Sequence, residues 1–247
     1  MKQGYTHIAV VLDSSGSMGS IIDDTIGGFN TFLDAQKNAE GEATLSLYEF
    51  QYPSIVNARG LPSWHWQELN SWGKSNVDVS VNTKFTFLDI KHVANLTKDN
   101  YHPNGGTPLL DTIGQVIKDT GEQLAALSEN LRPSKVLFVI ITDGEENASH
   151  VYNFDSISKM IKHQRDTYKW EFVFLGANQD AIGEAAKMGI GSHTSLAYGT
   201  SQAAIHDTYN VLASKTAAFR SFTADAGVLA FTDQERTVAL GEDQTKS

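Results

Sequence analysis

Five oxygen-bearing side chains stand out by type and spacing. They are Asp13, Ser15 and Ser17 in the run Asp13-Ser14-Ser15-Gly16-Ser17, Thr107 in Gly105-Gly106-Thr107-Pro108, and Asp143 in Thr142-Asp143-Gly144. Two carboxylates cancel the charge of a divalent cation, and three hydroxyls add oxygen donors without adding charge. A cation held this way stays electrophilic enough to accept a further anionic ligand, which a site of four acids would discourage. Magnesium suits such a set, because it demands octahedral oxygen coordination and is usually held by one or two carboxylates plus waters or a ligand.

The elements that must carry these residues are legible around them. Asp13 follows the apolar run 8–12, Asp143 follows closely on the run 136–141, and a third run covers 172–175. Continuous apolar runs of this kind read as strands buried on both faces. Between them the spacing turns helical, with Ile22, Ile26, Phe29 and Leu33 after the first run and Phe154, Ile157 and Ile161 after the second. The alternation predicts a parallel sheet covered by helices on both sides. Segments 44–50 and 84–90 alternate apolar with polar residues and are expected to pair at a sheet edge. A long helix is expected between Gly105 and Asn130, with Thr107 as its N-cap and Pro108 in its first turn. The turn Gly176-Ala177-Asn178-Gln179-Asp180 leads from strand to helix, with Asn178 and Asp180 read as caps. Residues 201–222 read as a further long helix, and Thr232 with Glu235 as the capping box of a short one. In doubly wound sheets ligands bind beyond the carboxyl ends of the strands, where the winding reverses, so the three oxygen-bearing segments should meet there.

The Asp13-x-Ser15-x-Ser17 motif, Thr107 in Gly-Gly-Thr-Pro and Asp143 in Thr-Asp-Gly together resemble the von Willebrand factor type A domain and its metal-ion-dependent adhesion site, over residues 5–220. The resemblance implies an α/β, Rossmann-like fold: a doubly wound, mostly parallel six-stranded sheet with one antiparallel edge strand and helices on both faces. It implies that Asp13, Ser15, Ser17, Thr107 and Asp143 ligate one divalent cation, Mg2+ or in its place Mn2+ or Ca2+, directly or through water. It also implies a protein partner whose acidic side chain completes the metal shell. Two features depart from the family pattern. Glu145 and Glu146 follow Asp143 closely and work against an acidic partner, although as loop residues they read first as solvated. The second is an aromatic-rich insertion at 52–82, inside a single domain spanning 1–230 that is followed by a short helix and polar tail over 231–247.

That insertion holds Trp64, Trp66 and Trp72, three of the four tryptophans. They read either as a small satellite core or as an exposed partner-binding patch, since tryptophan often dominates interface energetics.

Composition narrows the function further. A chain of 247 residues can bury one large core. Its formal charge of -10 argues against nucleic acid and anionic membrane as partners, because the field repels phosphate before contact. With no cysteine, thiolate catalysis, disulfides and Cys-type zinc sites are excluded. The eight histidines show no HExxH spacing. No secretion-signal pattern precedes the first strand and no apolar run reaches the ~20 residues that span a bilayer, so the expected location is cytoplasmic.

The chief rival is an enzyme. A Mg2+-dependent phosphohydrolase of the haloacid-dehalogenase type also places an aspartate after a buried strand, but it needs a second acid two residues on to protonate the leaving group. Ser15 occupies that position. No phosphate loop and no nucleophile elbow is present, and Thr194 stands where a dinucleotide fingerprint beginning at Gly189 needs its third glycine. A third reading is an assembly component that binds through the tryptophan segment without metal.

Overall fold

The computed structural model describes residues 1–51, 81–177 and 180–241. Trp64, Trp66, Trp72, Asn178 and the polar end of the chain lie outside the described residues.

The apolar runs become strands β1 (Lys2–Asp13), β2 (Glu42–Phe50), β3 (Val81–Asp89), β4 (Pro133–Thr142), β5 (Glu171–Gly176) and β6 (Ser195–Ala197). They form one six-stranded sheet in the order β3-β2-β1-β4-β5-β6. All neighbours pair parallel except β2 and β3, so β3 is an antiparallel edge. The β6 strand is too short to leave a run in the sequence. Pairing with β5 alone defines it.

Because β1 is apolar at nearly every position, its alternating side chains feed two cores. Ile8, Val10 and Leu12 pack on one face beneath helices α1 (Ile22–Asn38) and α5 (Gln202–Arg220). Ala9 and Val11 pack on the other beneath α2 (Leu109–Ala126), α3 (Phe154–Tyr168) and α4 (Ala181–Lys187). A short helix, α6 (Asp233–Leu240), opens with reciprocal bonds between Thr232 and Glu235 and returns against β6, where Arg236 donates to the Ser195 and Ser192 carbonyls.

The chain leaves β1 towards β2 on one side and later places β4 on its other side. The winding therefore reverses at the carboxyl ends of β1 and β4, where Asp13 ends one strand and Asp143 follows the other.

One local expectation is corrected. Thr107 does not cap α2: Pro108 takes the N-cap position and supplies no side-chain bond. The first amides of the helix are satisfied instead from the β4–α3 loop, which sequence distance hides.

Candidate metal site

Asp13 is fully buried, and its carboxylate is held from two directions. The Ser15 amide donates to Oδ1 at 2.7 Å, which turns the chain sharply after β1. The Thr142 hydroxyl, from the end of β4, donates to Oδ2 at 2.6 Å. The Ser15 and Ser17 hydroxyl oxygens lie 3.1 Å apart, and Ser17 donates to Asp143 Oδ1 at 2.6 Å. A methyl group built on Gly144 would stand 3.2 Å from Thr107 Oγ1 and 3.6 Å from Ser17 Oγ, so these two hydroxyls converge over the same glycine. The structure therefore brings Asp13, Ser15, Ser17, Thr107 and Asp143 into one cluster.

The three loops are stitched to each other by backbone as well. The Gly16 amide donates to the Gly105 carbonyl at 2.9 Å, and the Asn104 amide to Ser14 at 2.8 Å. Gly105 has φ 73, a left-handed turn that favours glycine and aims its carbonyl at the first loop. Ser14 ties the first loop to β2 by donating from both its amide and its hydroxyl to the Phe50 carbonyl. Asn147 Oδ1 accepts from the Thr107 amide at 2.8 Å, while the Asn147 amide returns a bond to the Thr107 carbonyl at 3.2 Å.

Two tyrosines brace the cluster from below. The Tyr101 hydroxyl donates to the Asp13 carbonyl at 2.5 Å, and the Tyr198 hydroxyl to the Thr142 carbonyl at 3.2 Å. Both rings are buried in the α1/α5 core. Burial pushes both phenols well above their ordinary range, so each remains a protonated donor.

The electrostatics suit a cation. Burial, against the opposing bonds from Thr142 and Ser15, pushes the Asp13 carboxyl up to about 6, and the nearby Asp143 charge adds to the rise. Asp143 is raised too, chiefly by burial, with the Ser17 hydroxyl opposing. Among the described residues, the groups that chiefly shift either carboxylate include no basic side chain. Among the described residues no three acids or histidines converge to hold a metal by themselves. Any ion here must take hydroxyl oxygens along with the two carboxylates, a hard donor set that fits Mg2+, Mn2+ or Ca2+.

Neither a family sequence model nor a curated protein matches the chain. Solved structures do. A von Willebrand factor type A structure from Catenulispora acidiphila aligns over 87% of this chain and 43% of its own, with TM-score 0.52 and 11% identity. The fold is that of the von Willebrand factor type A domains. Proximal thread matrix protein 1 from the mussel byssus, a structure with a zinc-occupied MIDAS motif, aligns over 87% of this chain and 46% of its own, with TM-score 0.51 and 12% identity. The pilus adhesin SpaC from Lactobacillus rhamnosus GG aligns over 91% and 31%, with TM-score 0.50 and 13% identity. The chain spans less than half the length of these solved chains. Among its described residues no helix is long and apolar enough to cross a membrane.

Sequence reading missed several residues that hold this cluster together. Thr142 carried a signal, standing between an apolar strand and Asp143. Tyr101 and Tyr198 carried none, because only the packing of the fold brings their hydroxyls to the strand ends. Glu146 is a correction: it is not a solvated loop residue. Its carboxylate accepts from the amides of Leu110, Ala148 and Ser149 and from the Ser149 hydroxyl, at 2.7 to 2.9 Å. Asp180 stands at the N-cap position of α4 but makes no side-chain capping bond.

Proposed function

We propose that this chain is a divalent-cation-dependent protein-binding module, without catalytic activity of its own. In this reading Asp13, Ser15, Ser17, Thr107 and Asp143 hold Mg2+, and an acidic side chain of a partner protein completes the shell. The observation that carries it is the convergence of three stitched loops on two carboxylates and three hydroxyls, with no basic side chain of the described residues among the groups that chiefly act on the acids. The cation would supply the attraction for a carboxylate; the chain's own residues orient it and leave one side of it to the partner. Sequestration of Glu146 by four donors removes one of the two acids that worked against an acidic partner.

The phosphohydrolase reading draws less support. Its nucleophile would be Asp13, and that chemistry needs a second acid to protonate the leaving group. The position two residues on remains a serine whose hydroxyl stands beside Ser17.

Calorimetric titration of the metal-stripped protein with Mg2+ and Mn2+ tests the proposal. One saturable site is expected, lost in Asp143→Ala while far-UV circular dichroism is unchanged. Equal binding by that variant would remove the cation bridge from the mechanism.

A further inference from the structure

The loop that carries Asp143 is bolted along its length to the first turns of α2. Asn147 exchanges two bonds with Thr107, and Glu146 accepts from the Leu110 amide. Ser149 Oγ accepts from the Asp111 amide at 3.0 Å. The Asp111 carboxylate then accepts from three successive amides, those of His150, Val151 and Tyr152, at 2.7, 2.9 and 2.7 Å. The Tyr152 ring lies flush on Gly114, where a Cβ would come within 2.7 Å of it.

This fixed loop presents an apolar side chain to solvent. Val151 is 79% exposed, the most exposed large hydrophobic among the described residues. Single exposed hydrophobic residues are ordinary. Val151 differs in its mount and its place. Its amide is already bonded to Asp111, so less of the backbone is left to order when the side chain is buried on association. Asp111, which holds its amide, stands four residues after Thr107, and Asn147, four residues before Val151, is bonded to Thr107 directly. By contrast, Leu131, Tyr168 and Phe222, also exposed, sit at the opposite ends of the strands, beside the termini of α2, α3 and α5.

We propose that Val151 is the apolar anchor of the metal-centred interface. The partner is then a protein segment that offers one acidic side chain to the cation and, beside it, an aliphatic or aromatic side chain to Val151. Its remaining residues are neutral or basic, because Asp143 and the exposed Glu145 already make this face acidic. The inference rests on the cation-bridged reading above.

The test is panning of phage-displayed nine-residue peptides with a central Asp or Glu on the Mg2+-loaded protein, with elution by EDTA. Enriched peptides are expected to share an apolar residue at a constant spacing from the acid. They should bind Val151→Ser about tenfold more weakly, the contribution of one buried valine, and Val151→Ile undiminished. Mn2+ affinity should be the same in all three proteins. EDTA-reversible enrichment with no apolar position, or equal peptide binding by Val151→Ser, overturns the anchor and leaves the cation bridge standing. Enrichment that EDTA does not reverse, or none, overturns the bridge and the anchor with it.

Discussion

At the amino ends of the strands, three helices finish under basic side chains. Arg220 donates to the Gln36 and Gly41 carbonyls at 2.5 and 2.9 Å where α1 ends. Arg132 donates to the Ala125 and Leu127 carbonyls where α2 ends, and Lys135 to those of Phe219, Ser221 and Ala224 where α5 ends. At the carboxyl ends the signs reverse. Glu146 and Asp111 sit at the start of α2 and accept backbone amides, and Asn153 caps α3. Helices that run antiparallel to a parallel sheet put all their positive ends on one rim and all their negative ends on the other, so each rim collects the opposite side-chain charge. Asp13 and Asp143 break the pattern. They lie on the rim that attracts acids, but hydroxyls and one amide are their main partners, and they repel each other. Charge at one rim is settled by opposite charge within the chain, whereas these two carboxylates are met chiefly by neutral donors.

The largest effect should come from disturbing the settled rim. Arg220→Met leaves the Gln36 and Gly41 carbonyls without their donor in a buried place, and should cost about 3 kcal/mol in urea unfolding. Cation affinity of the folded fraction should not change.

Disturbing the other rim should do the reverse. Mg2+ at a hundredfold excess over its dissociation constant should stabilise the native protein by about 2.7 kcal/mol. Asp143→Ala should abolish that gain while leaving the metal-free protein as stable as before or more so, since a repulsion is removed. Thermal melts with and without Mg2+ read both quantities.

Between the rims lies a basic group with no carbonyl cradle. His7 is fully buried in β1, with the Thr44 hydroxyl 3.0 Å from Nδ1, the Ser46 hydroxyl 3.4 Å from Nε2, and the Phe87 ring stacked on it at 3.7 Å. Burial lowers it to about 3 from an ordinary 6.5. Between those values the unfolded chain binds a proton that the folded one refuses, so stability is full above about pH 6.5 and falls as pH drops towards 3. The loss should reach about 2 kcal/mol at pH 5 and be absent in His7→Gln, as denaturant titrations at pH 5 and 7.5 would reveal.

The smallest effect concerns the braces. Tyr101→Phe removes the donor to the Asp13 carbonyl and should cost about 1 kcal/mol of stability. If the brace positions the site, Mn2+ affinity should also fall several-fold. A purely structural brace would lower stability alone.

Residue types already pointed to much of this. The continuous apolar runs are buried strands because a parallel sheet covered on both faces has no polar side. Segment 44–50 pairs antiparallel with 81–89, so Val81 and Asn82, read as the end of the insertion, belong to the edge strand instead. The antiparallel β3, with two register shifts against β2 and Phe87 at φ 47, is more irregular than its alternation implied. Thr107 looked like a cap because threonine before Pro108 commonly is one. The Glu146 carboxylate, a short space away but 36 residues on from Leu110, took that task instead.

By itself, the sequence determined the alternation of the longer strands and helices, the two covered faces and the identity of the oxygen-bearing residues, since periodicity and turn chemistry act within a few residues; the short β6 was decided by pairing. Only the tertiary structure decided how those oxygens meet, which acid is consumed by helix amides, and which tyrosines hold the strand ends. Those outcomes depend on contacts between segments far apart in the chain. They are set by how the sheet packs and where its winding reverses, and no local pattern records them.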